Sequence, residues 1–429
     1  MEYIVVLVAA ALLVVTVHLS LDPRVAWRAL PVLLAAFAVR LAVHFFVVRS
    51  SAVGYGGDNF TYELRALEVV ELWRREGPHF VGPGELDSVE SVAVPCNVFA
   101  LVMYLCGGRA PLACTAVVAL LACVLCVVVY RFARLAGADD RAAFRLLVIT
   151  AFLPGFVLHT SDTFKDGFNA FLVVACLGVA ASNVRRFDMR KVLALVPLLW
   201  ALWNVRPYMV FMCVLPLIVG VSKIRGRLSA SNVLALFVLL APLLLLMLRG
   251  ADHAGPIAAM QAQLDRAQSQ HVRLANAEGT SGVLFDDGGN AWNALAPKLA
   301  YTLLSPFPWT SGSLVLQLSK VDTLLWYWLL YHGVRGGLRL WRRNRNVLMV
   351  LLLFVVPGSV AYATTMSNMG LMFRQRIPIV LVVSLLSAVS WSRTVPDGRS
   401  GEPPEPSAPP AGPAERLAAP VRGSTACRT

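Results

Sequence analysis

Residues Pro111–Tyr130 read PLACTAVVALLACVLCVVVY, twenty positions without a single charge. A helix rising 1.5 Å per residue makes that run about 30 Å long, the thickness of the hydrocarbon core of a bilayer. Tyr3–Leu21 is a second uncharged run of nearly the same length. The whole chain follows suit: 57% of its 429 residues are hydrophobic and 15% charged, with a mean hydropathy of +0.66. Soluble domains sit near 45–50% apolar and roughly 25% charged, so the solvent this sequence is built for is lipid. The expected fold is all-α, a polytopic transmembrane helical bundle.

Spans are expected at 3–21, 29–48, 110–130, 142–159, 167–182, 192–203, 208–222, 230–248, 321–334, 346–365 and 377–392, eleven in all. Basic clusters occupy alternate connections: Arg24/Arg28, Arg131/Arg134/Arg141/Arg145, Arg185/Arg186/Arg190/Lys191, Lys223/Arg225/Arg227 and Arg335/Arg339/Arg342/Arg343/Arg345. Cytoplasmic loops carry the excess of Lys and Arg, which puts the N-terminus outside and the C-terminus inside. The net charge of +13 is thus accounted for by topology, and no nucleic-acid partner is expected. Arg far outnumbers Lys, of which there are five; with so much Ala, Val and Leu, this composition suits a bacterial genome rich in G and C. Met1-Glu2-Tyr3 has no basic start and no cleavage site follows, so the first run reads as a retained span.

Asn97–Cys106 decides the parity of the topology. At ten residues, between Pro95 and Gly107-Gly108, it is too short to cross and is expected at the outer interface. The transmembrane domain is expected over 1–392, with external loops at about 49–109 and 249–320. Within 49–95 eight acids face four arginines. The second loop holds Ile257, Met260, Leu264 and Ala267 at helical spacing, a Gly-rich FDDGGN turn, and an aromatic, proline-broken YTLLSPFPW at 301–309. The Pro-rich stretch 393–429 cannot bury a core and is expected to be disordered and cytoplasmic. Cys123-x-x-Cys126 has redox or zinc spacing but no His or acid nearby, and reads as packing. Cys96 and Cys106 could pair outside, although nothing requires it.

Polar groups are costly at membrane depth, so those just outside span ends are the candidates for chemistry. The first group is Gly56-Gly57-Asp58-Asn59-Phe60-Thr61-Tyr62, followed by an amphipathic stretch through Trp73. Helix capping by Asp58 or Asn59 is the plain alternative. The second is Thr160-Ser161-Asp162-Thr163-Phe164-Lys165-Asp166-Gly167, two carboxylates and a lysine that can bind a metal, position a phosphate or take a proton. His159 lies just before it. The third is Phe373-Arg374-Gln375-Arg376-Ile377-Pro378, two arginines on the side where arginines are disfavoured. Anion binding explains them, as does snorkelling to headgroups. Arg206, in Asn204-Val205-Arg206-Pro207, could serve the same anion. Arg40 and His44 are expected to face the bundle interior.

In this order, on one face of the membrane, these motifs resemble the C-type (GT-C) membrane glycosyltransferases, a superfamily that includes polyprenyl-phosphate-sugar-dependent mannosyltransferases. Asp58, Tyr62 and the helix through Trp73 match its first external loop. Leu153-Pro154-Gly155 leading to Asp166 matches the second, Arg206 an external hairpin arginine, and Arg374-Gln375-Arg376-Ile377-Pro378 a late Arg-x-Arg-x-Pro-like element. The match covers about 29–225 and 346–392. The chain departs at Gly-Gly-Asp-Asn and Lys-Asp, where many members carry a second acid, and in its extra first span.

The resemblance implies transfer of a sugar from a polyprenyl-phosphate-linked donor to an extracytoplasmic glycan, lipid or protein acceptor, in a bacterial plasma membrane. Asp58 and Asp166 would be catalytic and would hold a divalent metal ion if one is used. Lys165, Arg206, Arg374 and Arg376 would bind the donor phosphate, and Tyr62 and His159 would position substrate. A polysaccharide polymerase or ligase of related architecture, and a lipid-linked substrate transporter or flippase, are the alternatives.

Overall fold

The computed structural model describes residues 1–50, 57–222, 256–278, 281–311 and 314–393. It is a bundle of α-helices, and among the described residues the only strand-like pairing is one isolated bridge, Gly282 to Asn368. The expected span at 230–248 and the Pro-rich segment from 394 onward lie outside the described residues.

Helix α1 (Glu2–Ser20) buries Ala9, Leu13 and Val17, one residue per turn, and turns the rest of its apolar surface outward. Its first acid has a structural task. The Glu2 carboxylate accepts from the backbone N–H of Leu112 (2.9 Å) and Ala113 (3.2 Å), capping the helix it packs against. Helix α2 (Pro23–Val43) buries Ala26, Ala29, Leu33, Ala36 and Arg40, and ends in a π-helical turn over His44–Val48. Small residues on that stripe bring it close to the helix Pro111–Ala136.

Helix α3 (Asp58–Glu76) buries Asn59, Tyr62, Glu63, Ala66, Val69, Val70 and Trp73, the expected amphipathic pattern. It packs on α4 (Ala93–Cys106). The latter starts four residues earlier than the apolar run suggested, yet its 14 residues reach only about 21 Å. Cys96 and Cys106 both lie on α4 and are free thiols, so the pairing considered for them is not made. Helix α5 (Pro111–Ala136) is the buried centre of the bundle; Cys123 and Cys126 are buried there among apolar neighbours.

The expected span 142–159 is broken. Helix α6 (Asp140–Phe152) stops at Leu153, whose backbone is extended as the residue before a proline prefers, and α7 (Pro154–Leu158) restarts at Pro154. Helix α8 (Asp166–Arg185) follows the loop 159–165. Helices α9 (Met189–Trp203) and α10 (Pro207–Ser222) form a hairpin around Asn204-Val205-Arg206. Further on come α11 (Pro256–Gln268), α12 (Gln270–Ala277), α13 (Leu295–Leu304), α14 (Leu314–Arg343) and α15 (Arg345–Thr364). The chain closes with α16 (Met369–Gln375) and α17 (Ile377–Trp391), bent by 54° at Arg376.

Every expected span that falls on described residues contains a helix. By length and apolarity alone, α1, α2 with its π turn, α5, α8 and α15 can cross a bilayer, and the bent α16–α17 pair makes a sixth. Helices α14 and α17 approach each other closely. A Cβ placed on Gly336 would lie 1.7 Å from the Leu386 carbonyl oxygen, and the Ser387 hydroxyl donates to the Leu329 carbonyl at 2.6 Å. Small residues let the two backbones touch.

The FDDGGN segment is a turn, as expected. The Asp287 carboxylate accepts from Lys298 Nζ (2.6 Å), from Arg273 and from the Gly289 N–H (3.0 Å). Gly288 and Gly289 supply the positive φ values the turn needs.

Candidate active site

Four of the polar residues singled out above, Asp58, Asp166, Arg206 and Arg374, meet at one point, although four separate chain segments deliver them. Asp166 is the first residue of α8 and is 3% exposed. Its Oδ1 takes a hydrogen bond from Arg206 Nη2 at 2.6 Å, and its Oδ2 lies 2.9 Å from Arg374 Nε. Arg374 reaches with its other end to Asp58, Nη2 to Oδ2 at 2.5 Å. One guanidinium therefore bridges the acid of the first loop and the acid of the second. The Asp58 side chain is half exposed, whereas those of Arg206 and Asp166 are buried, so Asp58 marks the open side of the cluster.

Local sequence explains the placement. Gly57, with φ +133°, lets the chain turn sharply into α3 and leaves Asp58 on its first turn. Pro154 ends α6 and starts the short α7, after which the 159–165 loop lies against α3. Gly155 makes room for this: a Cβ there would lie 2.7 Å from the Phe373 ring and 3.2 Å from Asp322 Oδ1. Phe373 directly precedes Arg374, so the glycine helps to set where that guanidinium goes.

Lys165, Tyr62 and His159 line the same place. Lys165 Nζ donates to the Ser91 carbonyl (3.4 Å) and sits 5.7 Å from the Tyr62 ring centre. Burial, reinforced by the nearby Arg206, pushes the Lys165 amine down to about 7. Burial, with Asp58 next, pushes the Tyr62 phenol up to about 12, so Tyr62 stays neutral and can donate. His159 is buried against Phe164 and Phe373, ring centres 6.2 and 6.3 Å away, and lies within electrostatic reach of Asp166, Arg374 and Arg206. Arg376 stands apart. It is fully buried at the α16–α17 bend, and its Nη1 donates to the carbonyls of Thr302 (3.3 Å) and Leu303 (3.2 Å). It pins the bend to the end of α13 and touches neither acid.

A second buried cluster lies beside the first, and the motif reading missed it. Asp162 accepts from Arg49 Nε (2.8 Å), Arg49 Nη2 (2.7 Å), Asn59 Nδ2 (3.0 Å) and the Thr163 N–H (2.7 Å). Glu63 is held by Arg49 and by Arg109 Nη2 at 2.8 Å. The Thr163 hydroxyl reaches the Asn59 carbonyl at 3.1 Å. His44, on the π turn, lies 3.8 Å from Asp162 and 3.0 Å from the Thr115 hydroxyl. Arg40 donates to Thr160 Oγ1 and to the Ala36 and Ala151 carbonyls, interior as expected. This network ties α2, α3, the α4–α5 corner and the 159–165 loop together, and so fixes Asp58 relative to Asp166. One signal was present in the sequence: Glu63 interrupts the apolar face of α3, where a charge needs a partner.

The donor set at Asp58 and Asp166 does not form a cation site. Both carboxylates direct an oxygen at Arg374, which occupies the place a divalent ion would take between them. Among the described residues the group with metal-ligand spacing is instead Glu76, His79 and Glu85, at the other end of α3, about 27 Å along the helix axis from Asp58.

No family model matches this chain, and no curated protein matches it. Among solved structures, it is similar to the oligosaccharyltransferase of Archaeoglobus fulgidus in the apo form, with a TM-score of 0.48 and 16% identity over 84% of this chain. The match takes in 50% of that protein, so the chain spans about half its length.

Proposed function

We propose that this membrane protein is a glycosyltransferase that moves a sugar from a polyprenyl-phosphate-linked donor to a hydroxyl-bearing acceptor at the extracytoplasmic face of a bacterial plasma membrane. The observation that carries the reading is the convergence of Asp58 and Asp166 on Arg374, with Arg206 and Lys165 alongside. An anion leaving from a sugar needs fixed positive charge where its own charge develops, and two guanidiniums with a lysine supply it. An acceptor hydroxyl needs a proton acceptor reachable from solvent, and half-exposed Asp58 is that group. Asp166, buried between two arginines, positions them. Tyr62 and His159 wall the site, and membrane lipid surrounds the apolar donor tail.

The acceptor oxygen attacks the anomeric carbon, the bond from that carbon to the phosphate oxygen breaks, and its electron pair leaves on the polyprenyl phosphate. The acceptor proton goes to Asp58. The test is transfer of labelled sugar from a polyprenyl-phosphate donor in membranes carrying wild type or Asp58→Asn. Transfer by wild type and its loss in the variant are expected; equal transfer would remove Asp58 from the mechanism.

A further inference from the structure

We propose that Arg374 is a donor-operated clamp: with the site empty its guanidinium covers Asp58, and the donor phosphate draws it away and uncovers that carboxylate for the acceptor. This rests on the function proposed above and adds to it an order of events.

The two ends of Arg374 differ. Its Nε faces Asp166, a buried acid that Arg206 also holds at 2.6 Å. Its Nη2 faces Asp58, whose side chain is half exposed. Ion pairs screened by water contribute little, while removing one partner of a buried pair is strongly unfavourable. Asp166 is therefore the hinge and Asp58 the end that lets go. The guanidinium carbon lies 6.0 Å from the Phe164 ring centre, a flat platform across which the group can turn without losing its packing.

Charge supports the same sequence. With Lys165 protonated, below about pH 7, Arg374, Arg206 and Lys165 set three cations against the two acids Asp58 and Asp166. The surplus of one positive charge matches the single negative charge of a phosphodiester donor. A phosphate also offers two oxygens in the fork geometry a guanidinium prefers, which one exposed carboxylate oxygen does not. Once Nη2 has moved to the phosphate, Asp58 Oδ2 is open to an acceptor O–H. Proton removal is then coupled to the presence of the donor.

The experiment measures binding of undecaprenyl phosphate to the full-length protein in nanodiscs, for wild type, Asp58→Asn, Arg374→Gln and the double variant. Asp58→Asn should bind up to about fivefold more tightly than wild type although its transfer is crippled, because nothing competes for Arg374. Arg374→Gln should bind at least tenfold more weakly. In that background Asp58→Asn should bring no gain. If the gain persists in the double variant, it reflects plain charge repulsion and the clamp is wrong; unchanged or weaker binding by the single variant overturns it too. If wild type does not bind the probe at all, the proposed function falls first. Arg374→Lys replaces Arg374→Gln if the latter does not fold, since a lysine cannot span both acids.

Discussion

Asp162 and Asp58 are both acids paired with arginine, and the structure gives them opposite jobs that one pair of substitutions separates. Asp162 is fully buried and accepts from Arg49 twice, from Asn59 and from the Thr163 N–H. Asp162→Asn keeps the shape, removes the charge and turns amide hydrogens toward donors. Breaking a buried ion pair from one side costs about 3–5 kcal/mol. Glu63 remains on Arg49, which points to the lower end, about 3 kcal/mol. At about 2 °C per kcal/mol for a domain of 150–250 residues, and less in a longer chain, the melting temperature should fall by about 5 °C. Asp58 is half exposed with one pairing to Arg374, so Asp58→Asn should cost about 0–1 kcal/mol and move the melting temperature by about 2 °C at most. Its effect on transfer should be the larger one, on the order of 10²–10⁴-fold, as for loss of a general base. Intrinsic fluorescence of the ten tryptophans on heating in detergent reads the first quantity, and sugar transfer per folded protein reads the second. Asp162→Asn melting with wild type, or Asp58→Asn melting as early as Asp162→Asn, would refute the division of labour.

Lys165 titrates near pH 7 because burial penalises its ammonium form; affinity for undecaprenyl phosphate should therefore decline as pH rises from 6 to 8, and Lys165→Arg should abolish that decline. The same depression favours the folded state progressively as pH climbs from about 7 toward about 10, where the unfolded chain still holds the proton, a trend that melting curves of the two proteins should show. Gly336→Ala drives a methyl into the Leu386 carbonyl and should destabilise the α14–α17 contact by about 1–3 kcal/mol or more, whereas Gly84→Ala, which meets open space, should melt with wild type. For sidedness, a cysteine replacing exposed Glu90 in a Cys106→Ser background should react with an impermeant maleimide on intact cells, and one replacing Arg186 should react only after permeabilisation; the reverse pattern would place the site in the cytosol and end the transferase proposal.

The bundle was legible because lipid leaves the chain few choices. Uncharged runs must be helical, and the alternation of Arg clusters says how they are threaded. The stripe Ala9, Leu13, Val17 on α1 and the amphipathic face of α3 were readable by spacing alone. The break at Pro154 was less so, because the apolar content of 142–159 outweighs one proline in any reading of hydropathy. What could not be read is partner choice. Asp162 and Asp166 are four residues apart and alike in type, yet one meets Arg49 and the other meets Arg206 and Arg374. Those arginines are distant in sequence from the acids they hold, and nothing local encodes which pairs with which. Arg374 and Arg376 show the same limit. Two residues apart across a 54° bend, they point to different neighbours, one into the acid cluster and one to the carbonyls of Thr302 and Leu303.

The buried network around Asp162 and Glu63 also explains why the cluster of Asp58, Asp166, Arg206 and Arg374 can be built at all. Arg374 comes from the α16 end of the chain, Arg206 from the α9–α10 hairpin and Asp58 from α3, and every one of these elements is free to shift unless something holds it. Glu63, Asp162, Asn59 and Thr163 join α3 to the 159–165 loop with hydrogen bonds shielded from water, where such bonds are strong and leaving one unmade is expensive. Gly155 then seats Phe373 against that loop, which carries Arg374 to the acids. A half-exposed acid such as Asp58 can keep a loose, exchangeable contact only because the residues behind it are fixed.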